Sequence, residues 1–167
     1  ASRAHQEQIV PVVDAALRSS DPAILAIGDV ARFPVSTRWA PAGGPGGTLL
    51  RLESVQNATD QARHVAARIA KGAQAEFDAV PWFWSDQGSL RLQIAGLGTD
   101  VDETVIVGSP QGARFSILGF RAGQLACVES VNQPADHMSS RKLLGADALP
   151  SVQEASAPGF SLKGWAP

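Results

Sequence analysis

The hydrophobic period of this chain changes near Leu90, and that change constrains the fold more than any other feature. Before it, small apolar residues recur every three or four positions between Ser54 and Gly72, as they do along one face of an α-helix. After it, apolar and polar residues alternate and turns recur every eight to twelve positions, which is typical of antiparallel strands. The pattern predicts an α+β protein, with an antiparallel sheet over residues 80–131 and one or two helices packed on it after Pro134.

The predicted helix, at about residues 54–70, has recognisable ends. Ser54 is of a type that caps helix N-termini, and Gly72 follows a last turn that is rich in basic residues. One apolar stripe runs along the helix and consists of Val55, Ala58, Ala62, Val65, Ala66 and Ile69. We expect this stripe to pack closely against a neighbouring element, because most of its side chains are small. The free N–H groups at the helix start are available to an electron-rich ligand.

A continuous apolar run, from Ala23 to Ile27, ends at Gly28 and Asp29. Such a run is typical of a strand that is covered on both faces in a parallel sheet. Because ligands bind beyond the carboxyl ends of such strands, Asp29 is a candidate ligand-binding residue. Its alternative role is to cap the next turn, and the spacing favours neither role. The Gly- and Pro-rich segment 33–48 lacks the spacing of a phosphate-binding motif and predicts a plain loop.

Three consecutive aromatic residues, Trp82, Phe83 and Trp84, predict a short strand in which the two tryptophans share one face. A run of this kind most often belongs to the core, so all three side chains are expected there. His64 and His137 lie among polar residues and are expected at the surface. No cluster of His, Cys and acidic residues at ligand spacing is present, so we predict no metal site.

Composition narrows the class of protein. The 167 residues suffice for one domain or two small ones, and 44% hydrophobic with 18% charged residues is ordinary for a folded protein. A formal net charge of −2 argues against a nucleic-acid surface, and no apolar run reaches the ~20 residues that span a membrane. The lone Cys127 cannot form an internal disulfide and is expected in the core. We therefore expect a cytoplasmic protein that binds neither nucleic acid nor membrane.

Several segments together carry a resemblance to a known family. They are Leu17-Arg-Ser-Ser-Asp-Pro22, Ala26-Ile-Gly-Asp-Val-Ala-Arg-Phe33, Arg51-Leu-Glu-Ser-Val-Gln-Asn-Ala58, Pro81-Trp-Phe-Trp-Ser-Asp-Gln87, Ser130-Val-Asn-Gln-Pro134 and Lys142-Leu-Leu144. From about residue 9 to its end, the chain resembles the C-terminal part of the oxygenase-coupled, NADH-dependent ferredoxin reductases. The string at 81–87 is highly specific, whereas Gly28-Asp29 alone is shared by all relatives of glutathione reductase.

The resemblance implies roles for four residues. The carboxylate of Asp29 would hold a ribityl hydroxyl of FAD. The backbone N–H of Val55 would contact the pyrimidine edge of the flavin, where the helix dipole stabilises negative charge on the reduced ring. Trp84 would lie beside the isoalloxazine, close to where a [2Fe–2S] ferredoxin docks. Arg63 would contact that ferredoxin, and its alternative role is a solvated surface charge.

The resemblance also implies a division of the chain and a missing part. Residues 1–77 would be the C-terminal segment of an FAD-binding domain, and residues 78–167 would be the interface domain of the reductase. The N-terminal Gly-x-Gly-x-x-Gly motif for FAD and the whole NADH domain are absent, and no residue is predicted to be catalytic. Because the chain starts at Ala1 and its one methionine is Met138, we expect it to be processed, truncated or one piece of a longer polypeptide.

Two functions of different classes fit these residues. The first is a portion of an enzyme that passes electrons from NADH through FAD to a [2Fe–2S] ferredoxin for an oxygenase. The alternative is a stand-alone module over residues 78–167 that serves docking or self-association without flavin. Both functions are compatible with a homodimer. A yellow purified protein favours the first function. A colourless protein whose spectrum is unaltered by added FAD favours the second.

Overall fold

The structure, a computed structural model, describes residues 10–41 and 47–166. The predicted loop begins later than expected, because Phe33–Pro34 forms a short strand, β1. It pairs in antiparallel fashion with the equally short β2, Leu49–Leu50. The central part of the loop, residues 42–46, lies outside the described residues. The described part of the loop does not lead directly into a helix, as a phosphate-binding turn would, because β2 follows it.

The described residues form two compact units. The first consists of residues 10–35 and 47–77, and the second of residues 36–41 and 78–166. Side-chain hydrogen bonds fix the short segment 36–41 within the second unit. The indole Nε1 of Trp39 donates to Asp78 Oδ1 at 3.2 Å, and the guanidinium of Arg121 donates to the carbonyl of Ala40 at 2.6 Å. These bonds explain why a segment from early in the chain belongs to the later unit.

The strand predicted at residues 23–27 is absent, so that prediction is wrong. Leu25 makes one isolated antiparallel bridge with Arg18, and the side chain of Ile24 is 55% exposed. A strand forms only when a neighbouring strand satisfies its N–H and C=O groups. No described strand pairs with this run, and the chain turns at once into a short 3₁₀ helix, Gly28–Val30. The apolar run is thus an extended segment and not a member of a sheet.

The predicted helix is confirmed as α1, Val55–Lys71. Ser54 is the N-cap, and its side chain accepts a hydrogen bond from the N–H of Asn57 at 3.0 Å. Gly72 ends the helix in the left-handed conformation, with φ of 65°, and its N–H donates to carbonyls of the last turn. Both ends therefore form as the sequence predicts.

The buried face of α1 is not the expected apolar stripe. Asn57 and Gln61 are buried, whereas Val55 and Ile69 are exposed, so the predicted packing of the stripe is wrong for the described residues. Hydrogen bonds decide the orientation. Asn57 Nδ2 donates to the carbonyl of Leu52 at 3.0 Å, and Gln61 accepts a bond from the backbone of another segment. These two bonds set the rotation of the helix about its axis, although Gln61 Nε2 is buried without a hydrogen-bond partner among the described residues.

The second unit is a five-stranded antiparallel sheet, as predicted. Its strands are β3 (Trp82–Gln87), β4 (Leu90–Gly96), β5 (Glu103–Ser109), β6 (Arg114–Arg121) and β7 (Gln124–Val131). The spatial order is β3-β4-β7-β6-β5, so β3 and β5 are the two edges. Two helices follow, and they are α2 (Pro134–Leu144) and the short α3 (Val152–Ala155). The helix predicted to open at Pro134 is confirmed.

Helix α2 packs on one face of the sheet, over β4 and β7. Leu118, Val128 and Leu144 are fully or almost fully buried at this side. Near the start of α2, Ser116 Oγ is hydrogen-bonded to Ser130 Oγ at 3.0 Å and donates to Asp136 Oδ2 at 2.9 Å. A buried polar chain thus links two strands to the helix. It fixes which turn of α2 meets the sheet.

Cys127 is a core residue, as predicted, and its thiol lies close to Gly119 of the neighbouring strand β6. A Cβ on Gly119 would come within 2.7 Å of Cys127 Sγ and within 2.9 Å of Val101. Burial, followed by the charge of Glu129, raises the pKa of the Cys127 thiol to about 11. The thiol is therefore protonated at neutral pH and has no nucleophilic role.

We expect Gly119→Ala to destabilise this chain by about 1–3 kcal/mol, because the added methyl group has no room beside Cys127 and Val101. Cys127→Ala alone should cost less, since it only removes a small buried atom. The double variant should cost less than the sum of the two, because removing Sγ makes room for the methyl group. Urea unfolding of the three variants measures the coupling. Strict additivity would show that the Gly119–Cys127 contact is not limiting.

Candidate functional site

The candidate site of the first unit starts at the N-terminus of α1. The N–H groups of Val55 and Gln56 have no hydrogen-bond partner among the described residues, because the Ser54 cap serves Asn57 instead. The side chain of Val55 is 69% exposed. The first turn therefore offers two free backbone donors and the positive end of the helix dipole to a ligand.

Gly28 is fixed against the same helix. Its φ is 70°, and a Cβ at this position would approach the Ala58 Cβ to 3.2 Å, so both conformation and space favour glycine. The N–H of Gly28 donates to Gln61 Oε1 at 2.7 Å in a buried hydrogen bond. The backbone that carries Asp29 is thus held on the second turn of α1.

Asp29 itself is exposed, and its carboxylate makes no hydrogen bond or ion pair within the described part of the chain. The capping alternative is not seen, because Ile27 is the N-cap of the short 3₁₀ helix that contains Asp29. Arg51 donates weakly to the Asp29 carbonyl, at 3.4 Å, and forms an ion pair with Glu53. The Asp29 carboxylate is therefore free to accept hydrogen bonds from ligand hydroxyl groups.

In the second unit, Trp84 stands on the edge strand β3 and is 45% exposed, so a core position is wrong for this residue. The Trp82 ring lies on the same face of the strand, with centroids 5.5 Å apart and an angle of 37° between the rings. The Trp82 ring also meets His137, at 5.3 Å between centroids, and the guanidinium of Arg141, at 4.3 Å from the ring centroid. Trp82 and Phe83 are both half-buried.

His137 is buried, with 2% of its surface exposed, so the predicted surface position is wrong. Burial, and then the charge of Arg141, lowers its pKa to about 4. The imidazole is therefore neutral at physiological pH, and neither ring nitrogen has a hydrogen-bond partner among the described residues. The other surface prediction is also wrong, because His64 is half-buried with its ring 5.7 Å from that of Phe77. The polar neighbours of both histidines in the sequence concealed their burial.

Arg63 lies on the exposed side of α1, with 73% of its side chain accessible. It forms an ion pair with Asp60, one turn earlier, at 3.2 Å. Such a surface pair is worth little to stability, so the guanidinium can exchange its partner at small cost. The geometry is thus suited to a contact that forms on docking, while it equally fits a solvated charge.

Two of the four candidate residues lie on or beside α1 in the first unit. Val55 is the first residue of α1, and Asp29 belongs to the short 3₁₀ helix that contacts α1. Trp84 belongs to the second unit, and Arg63 lies two turns along α1 from Val55. Gln61, His137 and Arg141 were missed by the sequence reasoning. The only signal that pointed to the last two is their spacing of four positions on a helix.

Two kinds of feature are absent from residues 10–41 and 47–166. No group of three or more His, Cys, Asp or Glu side chains is placed to hold a metal ion. No helix in these ranges has the length and apolar character needed to cross a membrane. The candidate residues themselves supply backbone hydrogen-bond donors, a carboxylate and the exposed indole ring of Trp84.

Comparison with protein families gives a match to the family described as Reductase C-terminal, over residues 82–166. This range begins with the aromatic strand β3 and includes the whole sheet and both later helices. It covers just over half of the chain.

Curated relatives extend the similarity into the first unit. The chain is 45% identical over 152 residues to rhodocoxin reductase of Rhodococcus erythropolis, a match of 91% of this chain and 34% of that protein. It is 36% identical over 141 residues to putidaredoxin reductase of Pseudomonas putida, which covers 83% of this chain and 31% of the relative. The chain thus spans about a third of the length of the curated relatives it matches.

Solved structures of ferredoxin reductases are also similar to this chain over nine-tenths of its length. A ferredoxin reductase from Rhodopseudomonas palustris superimposes with a TM-score of 0.81 and 47% identity, over 91% of this chain and 35% of that chain. The covalent complex of putidaredoxin reductase with putidaredoxin gives a TM-score of 0.79 at 30% identity, over 92% of this chain and 35% of that chain. The resemblance drawn from the sequence motifs is therefore confirmed, and the chain belongs to the reductase C-terminal family.

Proposed function

We propose that this chain is the C-terminal portion of an FAD-dependent ferredoxin reductase, which passes electrons from NADH through FAD to a [2Fe–2S] ferredoxin that serves an oxygenase. One observation carries the proposal: similarity to ferredoxin reductases covers 79–91% of the chain and so extends well beyond the family match at residues 82–166. A domain used only for docking would need no counterpart of the first unit. We place such an enzyme in the cytoplasm, where NADH is available.

The residues of the first unit fit a flavin. The unpaired carboxylate of Asp29 is suited to accept a hydrogen bond from a ribityl hydroxyl, and the free N–H groups of Val55 and Gln56 are suited to the pyrimidine edge. The helix dipole would favour the extra negative charge of the reduced ring. When bound, FAD would accept hydride from NADH and release single electrons to an iron–sulfur cluster.

In this proposal the two parts of the chain have different tasks. Residues 1–77 contribute the last segment of the FAD-binding domain, and the remaining FAD-binding and NADH-binding domains belong to the rest of the reductase. Residues 78–167 form the interface domain, which presents Trp84 from the edge strand β3. Trp84 contacts the flavin ring on the side of electron exit, and Arg63 contacts the ferredoxin.

The alternative, a stand-alone docking module without flavin, is less well supported. It would use residues 78–167 alone and would leave the open N-terminus of α1 and the free carboxylate of Asp29 without a task. Absorption spectroscopy separates the two functions. A flavin spectrum in the complete reductase, lost when Asp29 and α1 are deleted, agrees with the enzyme; a colourless protein of full length agrees with the module.

We expect Asp29→Asn in the complete reductase to weaken FAD binding by about tenfold or more, because a hydrogen bond to a charged acceptor contributes about 1.5–3 kcal/mol. Titration of the apo-protein with FAD, followed by flavin fluorescence, gives the Kd. Glu76→Gln is the matched control, since it removes the same charge from an exposed residue of the same unit. Equal affinities in the parent and in Asp29→Asn would remove Asp29 from the flavin site.

We expect Trp84→Ala to slow ferredoxin reduction more than reduction of a small artificial acceptor, because a protein partner needs the exposed aromatic contact and a small acceptor does not. Steady-state rates with both acceptors give the ratio. Ile106→Ala, on the opposite edge strand β5, removes another exposed apolar side chain and should leave the ratio unchanged. If Trp84→Ala slows both acceptors equally, Trp84 is not on the ferredoxin route.

We expect Arg63→Glu to raise the apparent KM for ferredoxin at low salt and to flatten its salt dependence, because rim charges act mainly on the association rate. Lys71→Glu is the control: it makes the same charge change on the same helix, about 12 Å further along the axis. NADH oxidation with a small acceptor should not change in either variant. A salt dependence identical to that of the parent enzyme would place Arg63 outside the docking surface.

A further inference from the structure

We propose that Trp82 is a positioning residue for Trp84, and that Arg141 and His137 of helix α2 hold the Trp82 ring in place. The inference rests on the proposed function, in which Trp84 lies at the electron exit. It extends that function to three residues that touch neither the flavin nor the partner in the proposal.

The position of Trp84 is weakly determined by its own strand. β3 is an edge strand that pairs with β4 alone, so only one side of its backbone is hydrogen-bonded to the sheet. Nearly half of the Trp84 side chain is exposed. The Trp82 ring, 5.5 Å away on the same face, is the aromatic support that fixes its orientation.

Trp82, in turn, is held from α2. The guanidinium of Arg141 lies 4.3 Å from the centre of the Trp82 ring, which is the geometry of a cation–π contact. Arg141 has no carboxylate partner among the described residues, so its charge is directed at the ring. His137, one turn earlier on the same face of α2, contacts the ring with its neutral imidazole at 5.3 Å between centroids.

A different interpretation is that Trp82, His137 and Arg141 only fill the space between β3 and α2. The two interpretations assign different roles to the positive charge of Arg141. If Arg141 only fills space, a methionine of similar length should replace it without effect on Trp84. If its cation holds the Trp82 ring, methionine should release the ring pair and lysine should keep it.

The orientation of the ring pair can be measured on this chain alone. Two indoles at this distance give an exciton couplet in far-ultraviolet circular dichroism, and Trp84→Phe, which removes one partner, identifies that signal. We expect Arg141→Met to reduce the couplet by about twofold or more and Arg141→Lys to retain most of it. Lys142→Met is the control, since its exposed side chain lies next in sequence and is not in contact with the Trp82 ring. If Arg141→Met fails to fold, the ferredoxin kinetics of Trp82→Phe in the complete reductase provide a second test of the positioning role.

In the complete reductase, Arg141→Met and Trp82→Phe should lower kcat for ferredoxin reduction several-fold and leave kcat for a small artificial acceptor unchanged, with rescue by Arg141→Lys. An unchanged couplet in Arg141→Met overturns the inference at the level of geometry. A reduced couplet with unchanged ferredoxin kinetics overturns the positioning role. If Trp84→Ala also leaves ferredoxin reduction unchanged, the proposed role of Trp84 fails instead, and the couplet still reports whether Arg141 holds the ring.

Discussion

The first unit depends on one buried hydrogen bond, from the N–H of Gly28 to Gln61 Oε1 at 2.7 Å. An unpaired donor in that position would cost about 1–3 kcal/mol, so the helix must turn the polar side chain of Gln61 inward. Asn57, one turn earlier, faces the same way and pairs with a backbone carbonyl. As a consequence the side chain of Val55 is exposed at the start of α1. The same bond holds the backbone next to Asp29 against this helix. The features that a flavin would need are thus tied to one polar contact.

In the second unit, the exposed ring of Trp84 lies on an edge strand of the sheet. An edge strand has hydrogen bonds on one side only, and exposed aromatic groups on such a strand lack backbone support. Here the support comes from packing, because helix α2 covers the neighbouring strands and brings His137 and Arg141 to Trp82. The buried Ser116–Asp136 bond fixes the start of that helix. Trp84 can therefore be exposed and still have an ordered neighbour.

Two titratable groups of the second unit, Cys127 and His137, are buried, and burial shifts the pKa of each. The Cys127 thiol has its pKa raised to about 11, and the buried His137 has its pKa lowered to about 4. At physiological pH the Cys127 thiol is therefore protonated and not nucleophilic, and the His137 imidazole carries no charge. Both observations are compatible with the proposed function, in which FAD would supply the redox chemistry.

The sequence by itself determined the elements whose signals are local. The cap at Ser54, the end of α1 at Gly72, the alternation after Leu90 and the turn into α2 at Pro134 depend on neighbours in the chain, and all formed as predicted. The motifs also identified the family. Only the tertiary structure decided which face of α1 is buried, that residues 23–27 are not a strand, and that His137 lies inside while Trp84 lies partly outside. Hydrophobic periodicity failed at these places because long-range contacts decide them: a hydrogen bond to Gly28, the lack of a pairing strand among the described residues, and the packing of α2 on Trp82.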